Sequence, residues 1–151
     1  MSISPAPKHP GPRVADVGFP TRLRMTLLKL TRSLRAQRSM SIPEGQHAVL
    51  ATVVALGAMT PGELAEREHV RPPSMTRTVQ CLVDAGLVER TTHPEDRRQV
   101  LITPTDAGTE LVKETRRRRD QWLSKRLATL TPAERATLTE AEKILRRLYN
   151  Q

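Results

Sequence analysis

Between residues 21 and 38, Leu23, Leu27, Leu30 and Leu34 recur at spacings of three and four, with Arg22, Arg24, Lys29, Arg32 and Arg35 in the intervals. That period matches the α-helical turn and predicts an amphipathic helix. Ser41-Ile42-Pro43 interrupts the pattern, and from Glu44 to Leu56 it changes character: Val49, Leu50, Val53, Val54 and Leu56 leave little polar face, as expected of a centrally packed element. Its β-branched content is also compatible with a strand, but the signals at both ends, with Gly57 closing it, favour a helix.

Thr60-Pro61-Gly62-Glu63 next supplies an N-cap threonine, a proline at the first helical position and a glutamate three residues on, so a short helix opens at Pro61 and carries Leu64 and Ala65 inward. His69-Val70-Arg71 makes a turn. Pro72-Pro73 starts another helix, since prolines are tolerated where the first amides lack intrahelical partners, and it runs to Ala85 and stops at Gly86. Met75, Val79, Leu82 and Val83 share its core face, which groups Ser74, Arg77, Thr78 and Cys81 on another.

The pattern then shortens. Leu87 to Thr91 and Gln99 to Thr103 read as two strands joined by His93-Pro94-Glu95-Asp96-Arg97-Arg98-Gln99, a hairpin with a long charged tip. Pro104-Thr105-Asp106-Ala107-Gly108 launches a long polar helix to about Leu127, with Leu111, Trp122, Leu123 and Leu127 as its main apolar positions. Thr131-Pro132-Ala133-Glu134 repeats the capping box and opens a last helix with Leu138, Ala141, Ile144, Leu145 and Leu148 on one stripe.

These elements predict a mainly α fold with a small β-hairpin wing. Residues 41–104 form a winged helix-turn-helix reader, residues 19–40 and 105–151 hold dimerisation helices, and the proline- and glycine-rich residues 1–18 form a flexible arm. The terminal stripes, with Leu23, Leu27 and Leu30 at one end and Leu138, Leu145 and Leu148 at the other, exceed what a lone reader of this size covers. A second subunit would cover them and set two reading helices about 34 to 36 Å apart, which predicts a palindromic target.

At 151 residues the chain amounts to one domain, and 25 basic against 16 acidic residues give a formal charge of +9, which favours polyanions. Charge does not separate nucleic acid from an anionic membrane. With one Trp, one Tyr and one Phe the chain lacks the platforms on which unpaired bases stack, so duplex DNA is the better partner. No apolar run reaches the roughly 18 residues of a membrane span and the N-terminus lacks a signal-peptide core, so a cytoplasmic protein without membrane contact is expected. The lone Cys81 excludes an intrachain disulfide and reads as a plain small residue, and the scattered His9, His47, His69 and His93 lack metal-ligand spacing. Neither a cofactor nor a metal is expected. A Gly-rich phosphate loop and a nucleophile–base arrangement are both missing from the sequence, so an enzyme is not expected.

Taken in order, the buried stretch from Gln46-His47-Ala48-Val49-Leu50, Met59-Thr60-Pro61-Gly62-Glu63-Leu64-Ala65, Pro72-Pro73-Ser74-Met75-Thr76-Arg77, Ala85-Gly86-Leu87-Val88-Glu89-Arg90 and Asp96-Arg97-Arg98 leading to Leu101-Ile102-Thr103-Pro104-Thr105 resemble the MarR family of bacterial transcriptional regulators. The resemblance spans about residues 21 to 148. It implies a homodimer joined by its N- and C-terminal helices that binds a pseudo-palindrome, commonly as a repressor released by a small ligand. It also implies that the helix from Pro72 reads the major groove while Asp96 steadies Arg98 for the minor groove. Relatives that bind aromatic acids or phenols do so in a cleft between reader and dimer helices, but in this aromatic-poor chain no motif assigns a pocket residue.

Arg77 is long enough to hold a guanine edge by two parallel hydrogen bonds or, equally, a phosphate, with Pro73, Ser74, Thr76 and Thr78 beside it as major-groove candidates. Arg98 at the wing tip suits the negative potential of a narrow minor groove, Asp96 braces it, and Arg97 meets a phosphate. His69, Arg71 and Arg90 are secondary phosphate candidates, whereas the run Arg116 to Arg119 wraps around its helix and reads as solvated surface. The alternative from another class is an architectural protein that binds DNA by charge without reading sequence.

Overall fold

In the computed structural model the described residues are 18–37 and 41–150; the N-terminal arm expected over residues 1–18 lies outside them apart from Gly18, as do residues 38–40. They form α1 (Phe19–Arg35), α2 (Glu44–Leu56), α3 (Pro61–Arg67), α4 (Pro72–Asp84), β1 (Val88–Thr92), β2 (Val100–Pro104), α5 (Asp106–Leu127) and α6 (Pro132–Tyr149). Two compact units divide the chain, Met1–Ala36 and Gln37–Gln151. The first contributes α1, which has no buried residue.

In the second unit the apolar positions of α2, α3 and α4 meet the hairpin. Leu50, Val53, Leu64, Met75, Val79, Leu82 and Ile102 are shielded almost completely from solvent, and Val112 of α5 joins them. A fully buried aliphatic side chain of this kind contributes about 1.5–3 kcal/mol relative to exposure, so this cluster is what holds the reader together. The polar positions follow as the outer surface: α4 buries Met75, Val79 and Leu82 and turns Pro73, Ser74, Thr76, Arg77 and Gln80 to solvent.

The turns are set by local chemistry. Thr60 caps α3 by accepting from the Glu63 amide at 3.2 Å, while the Glu63 carboxylate accepts the Thr60 amide at 2.8 Å. His69 ends α3 in the left-handed conformation, φ 52°, and the Val70 amide returns to the Ala65 carbonyl at 3.0 Å. α4 ends in the same way at Gly86, φ 68°, where glycine adopts the left-handed geometry without steric cost.

β1 and β2 pair antiparallel with Val88 opposite Pro104, Arg90 opposite Ile102 and Thr92 opposite Val100. Both strands start one residue later than the hydrophobic pattern suggests. Met59, between α2 and α3, adds a short bridge to Ile102, its amide donating to the Ile102 carbonyl at 3.2 Å and its carbonyl accepting the Ile102 amide at 2.7 Å. The sheet thereby pins the wing to the front of the helix-turn-helix.

α5 is anchored to the corner between α4 and β1. Thr105 caps it through the Gly108 amide at 3.1 Å and donates its hydroxyl to the Gly86 carbonyl at 2.7 Å. A Cβ on Gly108 would stand 2.0 Å from the Leu87 carbonyl oxygen, so this position admits only glycine. Further along α5 the buried positions are Val112 and Thr115, whereas Leu111, Trp122, Leu123 and Leu127 are half-buried. α6 carries no buried residue. None of the described helices is long and apolar enough to cross a membrane.

Candidate nucleic-acid interface

Two exposed segments flank the core. One is the N-terminal half of α4, presenting Pro73, Ser74, Thr76 and Arg77; the other is the hairpin tip, presenting Arg97 and Arg98. Thr78 is half-buried, less open than its place on the helical wheel implies. Gln80, one turn beyond Thr76 and three residues after Arg77, belongs to the same exposed face, its amide donating to Asp84 at 2.7 Å. The sequence reading passed over Gln80, although the i+3 spacing from Arg77 was the signal that places it there.

The start of α4 is unusual as an anion site. Pro72 and Pro73 have no N–H, and the first available amides, those of Ser74 and Met75, already donate to the Arg71 carbonyl at 2.9 and 3.1 Å. Recognition at this end therefore falls to side chains. Thr76 donates its hydroxyl to the Pro72 carbonyl at 3.0 Å, which leaves its oxygen lone pairs facing outward as acceptors.

The hairpin tip is built on Asp96. One of its oxygens accepts the Arg98 backbone amide at 3.0 Å and the other accepts the Gln99 side-chain amide at 3.1 Å, so the carboxylate braces the backbone that carries Arg98. The brace acts on the main chain and leaves the guanidinium to its own devices. His93 contributes from the other side of the loop: its amide donates to the Gln99 carbonyl at 3.0 Å, and its Nδ1 accepts the amides of Glu95 and Asp96, both at 3.2 Å.

The rest of the surface mixes cations paired with carboxylates and cations that are not. On α5, Glu114 accepts from Arg117 and Arg118 at 2.7–2.8 Å, and these two hydrogen-bonded cations hold its carboxyl below the usual range, Arg118 contributing most. Two of the four consecutive arginines thus share one carboxylate, which leaves the trio with a net charge of +1. Lys113, Lys143 and Arg146 are likewise paired within their helices. Among the described residues, Arg71, Arg77, Arg90, Arg97 and Arg98 have no carboxylate within ion-pair distance, and His69 and Arg71 lie exposed at the turn between α3 and α4. Uncompensated guanidinium groups on both sides of a rigid core are what a polyanion can neutralise.

A second concave feature lies between α2 and α5. Ala51, Val54, Ala55, Leu56 and Val112 form its apolar wall, and Arg67, Lys113 and Arg116 stand at its edge around about 740 Å³ of space. No group of His, Cys, Asp and Glu among the described residues is arranged to hold a metal ion.

A helix-turn-helix braced by a hairpin with free arginines at its tip defines a winged helix-turn-helix DNA-binding protein. Residues 42–100 match the model of the MarR family. Over 138 residues the chain is 44% identical to an uncharacterized HTH-type transcriptional regulator of Mycobacterium bovis, covering 91% of this chain and 96% of the relative. It is 29% identical over 101 residues to the HTH-type transcriptional repressor MdtR of Bacillus subtilis, covering 67% of this chain and 65% of that one. Wild-type MarR of E. coli in its apo form superposes with a TM-score of 0.67 at 30% identity, over 85% of this chain and 97% of MarR. The chain belongs to the MarR family and is a DNA-binding transcriptional regulator.

Proposed function

We propose that the protein is a homodimeric repressor that occupies a pseudo-palindromic operator, with α4 of each subunit in a major groove and each hairpin tip in the adjoining minor groove. One observation carries the reading: the two exposed elements of the winged helix-turn-helix, the start of α4 and the hairpin tip, present Arg77, Arg97 and Arg98 to solvent with no carboxylate within ion-pair distance among the described residues. In this arrangement Pro73, Ser74, Thr76, Arg77 and Thr78 face the major groove, Asp96, Arg97 and Arg98 serve the wing, and His69, Arg71 and Arg90 meet phosphates.

Dimerisation through residues 19–40 and 105–151 is supported by the exposed apolar side chains of the terminal helices. Leu27 and Leu30 on α1 and Leu138 and Leu148 on α6 are each about two-fifths exposed or more, and Leu23 and Leu145 are half-buried beside them. Family members bind DNA as dimers, and a relative at 29% identity is named a repressor.

Selection of bound sequences from a random duplex pool tests the proposal. Two inverted half-sites about one helical turn apart are expected, and Arg77→Ala and Arg98→Ala each weaken binding to the selected duplex by about tenfold, the worth of one good base or groove contact. Equal affinity for selected and random duplexes would point instead to an architectural binder that reads charge alone.

The α2–α5 groove favours a ligand-released repressor. Its apolar wall and the edge cations Arg67 and Arg116 suit a small organic anion, and binding there would bear on α5, the link between reader and dimer helices. An aromatic carboxylate is expected to lower operator affinity of the wild type and not of Arg116→Glu.

A further inference from the structure

His93-Pro94-Glu95-Asp96 at the hairpin tip has the same grammar as the two helix starts Thr60-Pro61-Gly62-Glu63 and Thr131-Pro132-Ala133-Glu134: an acceptor, a proline, a spacer and an acid. In both helix starts the threonine oxygen takes the amide three residues on, at 3.2 and 3.3 Å. In the hairpin tip the imidazole Nδ1 takes that amide and the one before it, both at 3.2 Å. Proline after the cap restricts the preceding residue to extended backbone, which is the conformation an N-cap requires. The wing tip is therefore a helix cap without a helix, closed by a histidine where the chain elsewhere uses threonine.

We propose that His93 is a positioning residue for DNA binding, holding the loop in the conformation from which Asp96 can brace Arg98. The proposal rests on the wing reading of the function. The chain of contacts is continuous: Nδ1 of His93 fixes the amides of Glu95 and Asp96, the Asp96 carboxylate fixes the amide of Arg98 and the side chain of Gln99, and the Gln99 carbonyl closes back on the His93 amide. The alternative to this ring of bonds is a loop that must be ordered by DNA itself, at an entropic cost charged against affinity.

A histidine in this role differs from threonine in one respect. Nδ1 accepts two amides only while it carries no proton, and protonation turns the acceptor into a donor that faces two other donors. The charged groups around the ring are the Glu63 carboxylate from the first turn of α3, which interacts electrostatically with His93, and Glu95 and Asp96 of the loop itself.

The test uses the full chain and fluorescence anisotropy with the duplex recovered by selection. His93→Leu, which keeps bulk and removes the acceptor, is expected to weaken specific binding about fivefold, the worth of roughly one net hydrogen bond, with the melting temperature unchanged. His93→Asn places an acceptor oxygen where Nδ1 stands and restores affinity to within about twofold. In an Arg98→Ala background the His93→Leu change has no further effect, because the residue acts through Arg98. Wild-type affinity in His93→Leu, or no recovery in His93→Asn, overturns the proposal while a weakened Arg98→Ala leaves the wing reading standing. An Arg98→Ala variant that binds like wild type overturns both.

Discussion

α4 and α6 are written in the same hand and end in opposite circumstances. Both begin with a proline and both carry an apolar stripe at helical spacing. In α4 the stripe closes against α2, α3 and the hairpin, and Met75, Val79 and Leu82 are at most 1% exposed. In α6 Leu138, Ile144 and Leu148 are between 45% and 58% exposed, and no residue is buried. Periodicity specifies that a helix has a face; it does not specify what the face meets. The stripe of α4 is part of the reader's core, and the stripe of α6 is left exposed.

The sharpest way to break this contrast is to truncate one leucine from each stripe. Leu82→Ala removes a fully buried side chain and should lower unfolding free energy by about 3 kcal/mol, measured by urea denaturation. Leu138→Ala, followed in chains diluted to the monomer, should cost less than about 0.5 kcal/mol. Similar losses at the two positions would show that α6 packs into the subunit's own core.

Gly108→Ala probes the joint between the two regimes. Its new methyl would meet the Leu87 carbonyl at 2.0 Å, and backbone does not yield as a side-chain tip does. A destabilisation of about 1–3 kcal/mol is expected in thermal melts, and it should reduce DNA binding as well by shifting α5 from the α4–β1 corner.

How far each region was legible follows from the range of the forces that shape it. The starts of α3, α5 and α6 were readable because a cap is made within four residues: Thr60 with Glu63, Thr105 with Gly108, Thr131 with Glu134. The core face of α4 was readable from spacing alone. Missed features depend on partners distant in sequence. The Met59 bridge needs Ile102, the glycine at 108 needs the carbonyl of Leu87, and the inward turn of Val112 and Thr115 depends on where α5 meets α2. At the wing, the pairing of Asp96 with Arg98 was visible from the sequence, but that the bond reaches the amide and not the guanidinium is a matter of loop geometry. The apolar groove was hidden for the same reason, its cations Arg67, Lys113 and Arg116 being brought together only by the packing of three helices.

A smaller effect distinguishes the caps. The Thr60 and Thr131 amides and hydroxyls hold the Glu63 and Glu134 carboxyls below 4.5, the ordinary glutamate value, the backbone bond contributing most in each. Groups whose folded-state value is depressed support folding above their unfolded value, and that support is lost as pH falls through the lower one. Stability should therefore decline on acidification below about pH 4.5. Glu63→Gln should flatten part of that slope in α3 and its surroundings, and Glu134→Gln should alter only the α6 region, read by hydrogen exchange along each helix.

The comparison of α4 with α6 comes to a single measurement, the mass of the protein by light scattering, alone and on its selected duplex, beside the variant Leu138→Glu with Leu148→Glu. Two chains per particle and per duplex are predicted for the wild type, with the variant falling to one chain, keeping its helical circular dichroism and losing most of its operator affinity. A wild type that remains a single chain on its preferred duplex would contradict the account.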